Sequence, residues 1–342
     1  MKKPAFSPPK PWRRRARGFA AVIAVILTAA LVLTAGAYFF LKKDKVYKVG
    51  ILSGVDFFLP SIDGFKQKMA ELGYVEGKNI VYDIQKTNFD PQKEEEVLKK
   101  FISDKVDLIS VFPTEPALAA KRITKGTNIP VVFGPAIIEG TGLIEDVRAP
   151  GANLTGVQWQ NTTGTLKNLE ILKEIAPNIM RIYCLHDPNY PLTAAIFENL
   201  RPAAYEMGLT LVEVAVENPE AIRAELERRS AQKDVGVDAI LTIPSILTVS
   251  PQAIEAISQF AAFHKLPLDG PSPNAVFENA PDTFESGALA AVLADKILKG
   301  TPAGAIPVAT ADPRLKINLK SAQSLNIQVS ESLLERAHKV IR

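Results

Sequence analysis

Two short segments of the sequence place a carboxylate beside aromatic rings directly after a predicted strand. They are Asp56-Phe57-Phe58 and Phe112-Pro113-Thr114-Glu115. Loops in corresponding positions of the second half contribute further polar and aromatic groups, namely Asp187, Asn189, Tyr190, Ser245, Asp269 and Asn274. Small-molecule sites combine apolar walls with a few placed polar groups. We therefore predict a small-molecule binding site lined by all of these residues except Pro113.

If the solute is a zwitterion, the predicted site offers candidate partners for both of its charges; otherwise the apolar walls would carry recognition. The ammonium group of a zwitterion needs a carboxylate, and the candidates are Asp56, Glu115, Asp187 and Asp269. Its carboxylate needs hydroxyl groups or free N–H groups at helix starts, for which Thr114 and Ser245 are placed. An amino-acid-like or other small organic molecule is the expected ligand.

Catalytic motifs are absent from the sequence. It contains no G-x-x-x-x-G-K-[ST] phosphate loop and no G-x-S-x-G nucleophile elbow. The three histidines, at positions 186, 264 and 338, lack metal-ligand spacing. We predict a protein that is not an enzyme and needs no metal ion or cofactor. The pair His186-Asp187, at a predicted strand end, fits either a ligand contact or ordinary loop polarity.

The elements that must position these residues follow a duplicated order. The first half has the apolar strands YKVGILSG, NIVYDIQ, VDLISVF and IPVVFG with amphipathic helices between them. The same order returns with RIYCLHD, LTLVEVAV, VDAILTIP and LPLD, and Asn218-Pro219 opens a helix as Asp90-Pro91 does. This order predicts an α/β fold of two doubly wound parallel-sheet domains.

The predicted domains are residues 46–157 and 158–270, and the segment 271–342 crosses back and completes both. Parallel sheets bind ligands at the carboxyl ends of their strands. If these edges face one another, the loops listed above line a cleft between the domains.

The amino terminus has the features of a membrane signal anchor. Residues 1–17 carry seven basic residues and no acid, and residues 18–41 carry no charge. A helix of that length spans about 36 Å, enough to cross a hydrocarbon core of about 30 Å. The basic segment is expected in the cytoplasm and the chain after residue 45 outside it. Ala35-Gly36-Ala37 also fits a signal-peptide cleavage site, so a retained anchor and a cleaved signal both stay open.

The charge distribution excludes one class of function. Residues 1–45 hold ten Lys or Arg and one Asp, whereas the rest of the chain holds 30 basic and 36 acidic residues. The exported body is therefore mildly acidic and lacks the basic surface that nucleic-acid binding requires. A single cysteine, Cys184, permits no internal disulfide.

Three motifs together resemble one family. They are ELGYVEGKNI (71–80), RAPGANLTGV (148–157) and the tail pattern DKILKG…KINLKSAQSLNI…SLLERAHKVIR. They are similar to the ABC-transporter substrate-binding proteins of the type I periplasmic binding fold, in the branch whose members bind aromatic amino acids and related solutes. In that family the second motif closes the first domain, so Asn153 and Gly156 are interpreted as turn and hinge residues.

The resemblance implies a function and a location. The protein would capture a small solute in an interdomain cleft by hinge closure and deliver it to a separate permease and ATPase. The body would lie in the periplasm, held at the inner membrane by the amino-terminal helix. The alternative is a ligand sensor of the same fold that acts on a signalling receptor.

Overall fold

The computed structural model describes residues 45–159 and 162–342. The predicted anchor at 18–41 and the cleavage motif at 35–37 lie outside these residues. Within the described ranges, no helix is long and apolar enough to span a bilayer. The chain from Tyr47 to Arg342 forms one compact unit.

The described chain alternates strands and helices. The strands are β1 (Tyr47–Ser53), β2 (Ile80–Lys86), β3 (Leu108–Phe112), β4 (Val131–Ala136), β5 (Leu154–Gln158), β6 (Arg181–His186), β7 (Thr210–Ala215), β8 (Ala239–Ile240), β9 (Phe277–Pro281), β10 (Ala309–Thr310), β11 (Pro313–Asn318) and β12 (Lys339–Ile341). The helices are α1 (Leu59–Glu71), α2 (Pro91–Ser103), α3 (Thr114–Ile123), α4 (Thr162–Ile175), α5 (Thr193–Glu206), α6 (Pro219–Ser230), α7 (Pro251–His264), α8 (Thr283–Leu298), α9 (Leu319–Ser324) and α10 (Glu331–Arg336).

Helix starts follow the local sequence. The Asp90 carboxylate accepts hydrogen bonds from the N–H groups of Gln92 and Lys93, at 3.0 and 3.2 Å. The Asn218 side chain accepts one from the N–H of Ala221, at 2.8 Å. In both cases a proline occupies the first helical position, where its missing N–H costs nothing. Both predicted helix starts are confirmed.

The first sheet contains six parallel strands in the order β10-β5-β4-β3-β1-β2. Alternate residues of β1 face opposite sides, so Ile51 packs under α1 and α8 whereas Leu52 packs under α2 and α3. We call this sheet and its four helices the amino-terminal lobe.

The second group of strands forms two smaller sheets, β7-β6-β8 and β12-β11-β9. Single bridges, Ile240–Leu268 and Asp269–Phe277, connect them. Helices α4, α5, α9 and α10 pack on one side of these strands, and α6 and α7 pack on the other. We call this group with its helices the carboxyl-terminal lobe.

Two predicted strands of the carboxyl-terminal lobe are shorter than the sequence pattern indicates. VDAILTIP contributes only Ala239–Ile240, and LPLD forms only isolated bridges. The cause lies in the hydrogen bonds of this region, because the N–H of Thr242 donates to the Asp269 carboxylate, at 2.6 Å, instead of to a strand neighbour.

The chain crosses between the lobes three times. It crosses after β5, again between β9 and α8, and again between β10 and β11. The segment after residue 270 therefore gives α8 and β10 to the amino-terminal lobe and β9, β11 and β12 to the other. The division into separate domains at residue 157 stays a prediction, because Tyr47–Arg342 is a single compact unit.

The segment 148–157 ends in a strand rather than at a hinge residue. The Asn153 side chain donates to Thr124 Oγ1 and to the Ile129 carbonyl, at 2.9 and 2.6 Å, which fixes the turn before β5. Gly156 lies inside β5, where a Cβ atom would overlap the Phe133 carbonyl. Asn153 is thus a turn residue, whereas Gly156 serves close strand packing and the hinge interpretation of it is wrong.

Glycines allow α1 and α8 to touch along their backbones. A Cβ atom at Gly287 would overlap the carbonyl oxygen of Ser61, and one at Gly64 would overlap that of Phe284. Because the obstacle is backbone, neither neighbour can rotate away, and the two helices would have to separate.

We expect Gly287→Ala to lower the free energy of unfolding by about 1–3 kcal/mol, as overpacking of a core does. Denaturant unfolding followed by circular dichroism measures this. Gly164→Ala is the matched control, because Gly164 is also helical and nothing lies within 4 Å of its Cβ position. That change should raise stability by roughly 0.5–1 kcal/mol through helix propensity. Equal effects of the two changes would contradict the close packing.

Candidate functional site

An aromatic cluster lies where the first crossing begins. The Phe58 ring is edge-on to Phe57 and to Trp159, with centroid distances of 5.0 and 6.3 Å. Trp159 directly follows β5, and its backbone N–H donates to the Ala136 carbonyl at 2.7 Å. Its side chain packs against the hydrophobic cores of both lobes. Trp159 therefore stands between the lobes at the carboxyl ends of the first-sheet strands.

The indole nitrogen of Trp159 is buried and has no hydrogen-bond partner in the described part of the chain. Burying a donor without an acceptor costs desolvation free energy, so such groups commonly bind a ligand or a water molecule. Trp159 is not among the site residues predicted from the sequence. Its signal was the position two residues beyond the RAPGANLTGV motif, and it is one of only two tryptophans in the chain.

A second aromatic residue that the sequence analysis missed covers the end of β1. Asn88 and Phe89 both have left-handed backbone conformations, with φ of 54° and 57°, just beyond β2. The Phe89 ring lies where a Cβ atom at Gly54 would stand. Non-glycine residues in this conformation store strain that often accompanies functional sites. Phe89 is half-buried and forms an additional aromatic wall at this edge.

The loop after β3 places its three predicted residues differently. Phe112 is fully buried in the core of the amino-terminal lobe. The Thr114 hydroxyl accepts a hydrogen bond from the N–H of Ile137, at 2.9 Å, and so ties this loop to the loop after β4. Glu115 lies in the first turn of α3, and burial raises the pKa of its carboxyl group.

A carboxylate that the sequence analysis did not select lies beside Glu115. Glu94, in the first turn of α2, is only 4% exposed. Burial raises its pKa to about 7, and the charge of Glu115 adds to the effect. The Thr87 hydroxyl lies 3.5 Å from its Oε1 atom. The sequence shows Glu94 only as one of three consecutive glutamates, which is typical of an exposed helix start.

The loop after β6 belongs to the carboxyl-terminal lobe and carries three of the predicted site residues, Asp187, Asn189 and Tyr190. The Asp187 carboxylate accepts from the N–H of Asn189, at 2.8 Å, and its carbonyl accepts from the Thr193 hydroxyl, at 2.7 Å. Asp187 therefore shapes a turn, and Asn189 is exposed. Burial raises the pKa of Tyr190, and the charge of Glu115 raises it further. Tyr190 and Glu115 therefore interact electrostatically although they belong to different lobes.

His186, at the end of β6, has an unpartnered Nδ1 atom among the described residues. Its ring packs edge-on against Phe197, with a centroid distance of 5.0 Å, and burial lowers its pKa. Both interpretations of the His186-Asp187 pair stay open, although the Asp187 carboxylate is already engaged in its turn.

Asp269 is the best-satisfied predicted carboxylate. It is 1% exposed, and its two oxygens accept from the Thr242 N–H and from Asn168 Nδ2, at 2.6 and 3.0 Å. The Asn168 oxygen in turn accepts from Asn279 Nδ2, at 3.0 Å. Burial raises the pKa of Asp269 to about 6. This chain of hydrogen bonds links α4 to β9.

Three further predicted residues have partners within their own neighbourhoods. The buried Ser245 hydroxyl lies 3.0 Å from that of Thr248. The Asn274 amide donates to the Ser258 hydroxyl on α7, at 2.9 Å. Asp56 is exposed and pairs with Lys86, at 2.7 Å. A ligand role for these residues stays a prediction, as it does for the other members of the set.

Two surface cavities lie on the amino-terminal lobe, away from the strand ends. One of 790 Å³ opens where β4 and β5 begin and is lined by Lys125, Asn128 and Asn153, among others. The other, of 320 Å³, lies between α1 and α8. None of the predicted site residues lines either cavity. Within residues 45–159 and 162–342, no group of three His, Cys, Asp or Glu side chains is placed to hold a metal ion.

The fold is the α/β fold of periplasmic binding proteins, as comparison with solved structures shows. A conserved domain protein from Vibrio cholerae is 25% identical, covers 86% of this chain and 100% of its own, and superposes with a TM-score of 0.75. A Streptococcus pneumoniae protein crystallised with L-Trp is 24% identical, with coverage of 87% and 100% and a TM-score of 0.76.

The chain belongs to the ABC transporter substrate binding protein family, whose model matches residues 49–341. This confirms the resemblance found in the sequence. A relative described as a tyrosine-binding protein from Clostridioides difficile is 28% identical over 300 residues, which are 84% of this chain and 82% of the relative. Because the family consists of binding proteins, the prediction that the chain is not an enzyme is confirmed.

The raised pKa of Glu94 predicts a pH-dependent stability. The folded protein holds a proton on Glu94 that the unfolded chain releases near pH 4.5, so stability falls as pH rises from that value through about 7. The full effect is as much as about 3 kcal/mol. We expect Glu94→Gln to unfold at a higher temperature than wild type at pH 8 and at a similar temperature at pH 5.

The matched control is Glu96→Gln, which changes an exposed glutamate of the same helix. Its melting temperature should follow that of wild type at both pH values. If the melting temperature of Glu94→Gln relative to wild type is the same at pH 8 as at pH 5, ionisation of Glu94 does not lower the stability of the folded protein.

Proposed function

We propose that this protein is the extracytoplasmic solute receptor of an ABC-type uptake transporter and that its solute is an aromatic amino acid or a close relative. The observation that carries this proposal is the buried indole nitrogen of Trp159 between the two lobes, which has no hydrogen-bond partner within residues 45–159 and 162–342. A planar solute could stack among Phe58, Phe89 and Trp159, and a polar atom of that solute would accept the hydrogen bond from the indole N–H. Aromatic pairs contribute about 0.5–1.5 kcal/mol beyond their buried area.

The relatives support this ligand class. One relative is described as tyrosine-binding, and one solved structure of the same fold holds L-Trp. The aromatic residues at the strand ends are the features of this chain that fit such ligands, because they offer flat apolar walls with one donor between them.

Hinge closure is the mechanism that the three crossings favour. Short connections join the lobes, as between Pro281 and Thr283 and between Thr310 and Pro313, so the lobes can rotate about them. Closure would remove the solute from water and bring Glu115 and Tyr190 around it. No bond is made or broken in this process.

The partners of this receptor would be a membrane permease and a separate ATPase. The receptor itself would remain at the outer face of the inner membrane through the segment 18–41, with its body in the periplasm. Tethering raises the effective concentration of a receptor near its transporter, in the millimolar range for short flexible linkers.

The binding prediction is tested with the full chain in detergent and a panel of aromatic and aliphatic L-amino acids. L-tyrosine or L-tryptophan at about 100 times its dissociation constant should stabilise the protein by about 2.7 kcal/mol, a clear rise in melting temperature. Trp159→Phe keeps a ring and loses the donor, so it should weaken binding by about 3- to 10-fold in calorimetry.

Phe263→Leu is the matched control, because Phe263 is an exposed aromatic residue, 79% accessible, on α7. It should bind as wild type does. A Trp159→Phe variant with unchanged affinity would exclude the indole nitrogen from recognition. A panel in which only aliphatic or non-amino-acid solutes bind would remove the aromatic ligand class.

The anchor prediction is tested separately by fractionation. The uncharged run 18–41 should keep the mature protein in the membrane pellet after an alkaline wash, because about 24 apolar residues insert stably. Amino-terminal sequencing that finds a mature chain beginning at Tyr38 would show cleavage after Ala37 instead.

A further inference from the structure

Glu94 and Glu115 lie at the starts of two neighbouring helices at the strand-end edge of the amino-terminal lobe. Helices α2 and α3 pack on the same face of the first sheet, and Arg122 of α3 bonds to Glu95 of α2 at 3.2 Å. Glu94 is buried beneath this edge, and Glu115, in the first turn of α3, is close enough to the other lobe for its charge to act on Tyr190. Glu115 therefore lies where a solute between the lobes would contact the amino-terminal lobe, and Glu94 lies in the interior at the same edge.

This pair differs from the other buried charges of the described chain, which have strong partners. Arg229 pairs with Glu225 at 3.1 Å, and Asp295 pairs with Lys299 at 2.9 Å. Asp269 accepts from three donor groups of Thr242 and Asn168, counting its backbone carbonyl. Across residues 45–159 and 162–342, no Lys, Arg or His nitrogen lies within 4 Å of the Glu94 or Glu115 carboxylate.

The groups that face the pair add no free cation. Directly before α2 the neighbour is Asp90, on α3 it is Arg122, beyond β2 it is the Thr87 hydroxyl, and from the other lobe it is Tyr190. Arg122 is already paired with Glu95. Two acids at adjacent helix starts, one of them buried and neither in a salt bridge within the described residues, cannot both ionise cheaply, so Glu94 keeps a proton up to about neutral pH unless a cation binds nearby.

We propose that the Glu94–Glu115 pair binds the ammonium group of the solute and that this binding releases one proton to water. The inference rests on the proposed function and narrows it to solutes that carry a protonated primary amine. The ammonium group would bind Glu115 directly, and its charge would favour loss of the proton from the Glu94 carboxyl group behind it. Affinity for such a solute therefore rises with pH across the neutral range and falls as the medium becomes acidic.

The test uses the full chain in detergent and calorimetry with four probes. L-tyrosine, L-tryptophan and tyramine carry the amine, and 3-(4-hydroxyphenyl)propanoate is the matched probe without it. We expect at least one amine to bind roughly tenfold or more tightly at pH 8 than at pH 5.5. Its apparent binding enthalpy should differ between buffers of different ionisation enthalpy, which reports the released proton. The probe without the amine should bind more weakly and show neither effect.

Two nearly isosteric variants separate the roles of the pair. Glu115→Gln should lose the amine about tenfold or more, because the direct partner of the ammonium group is gone. Glu94→Gln should still bind the amine but lose both the pH dependence and the proton release. Circular dichroism and the melting temperature of each variant verify that it is folded.

The outcomes also separate this inference from the proposed function. A solute without an amine that binds wild type and both variants equally would overturn the inference and leave the solute receptor intact. An amine that binds both variants as tightly as wild type, or without proton release, would overturn it as well. Failure of these probes and of the wider amino-acid panel would overturn both proposals.

Discussion

The direct backbone contact between α1 and α8 determines how the chain is arranged. Gly64 and Gly287 let these helices touch, and this contact holds a helix from the end of the sequence against a sheet built from its beginning. The chain must therefore leave the carboxyl-terminal lobe after β9 and return to it through β11. Three crossings result, and the candidate solute site lies at the strand ends beside the first of them.

The order of strands and helices could be predicted because it depends on local patterns. Buried strands show as apolar runs, and Asp90 and Asn218 before prolines mark helix starts. The shortening of the strand around Ile240 could not be predicted, because a side chain distant in sequence, Asp269, replaces the strand ladder there. The sequence contains no local mark of that competition.

The candidate site was harder to predict than the fold, since loop position alone does not fix side-chain direction. Phe112 stands at a strand end and yet points into the core, whereas Phe89 was overlooked and covers the end of β1. Glu94 has the sequence context of an exposed helix start, but it is buried in the structure, beside the Thr87 hydroxyl. Trp159 could have been selected, because it closely follows the motif that ends the first sheet.

The hydrogen-bond chain through Asp269 has a mechanical consequence. Asn168 lies shortly after the first crossing and Asn279 shortly before the second, and their side chains join each other and the Asp269 carboxylate. Helix α4 and strand β9, which adjoin the two linkers, are therefore joined to each other within the carboxyl-terminal lobe. In the proposed hinge closure, a rotation of the amino-terminal lobe that bends one of these linkers would therefore bend the other in step, which favours motion about a common axis over independent twisting.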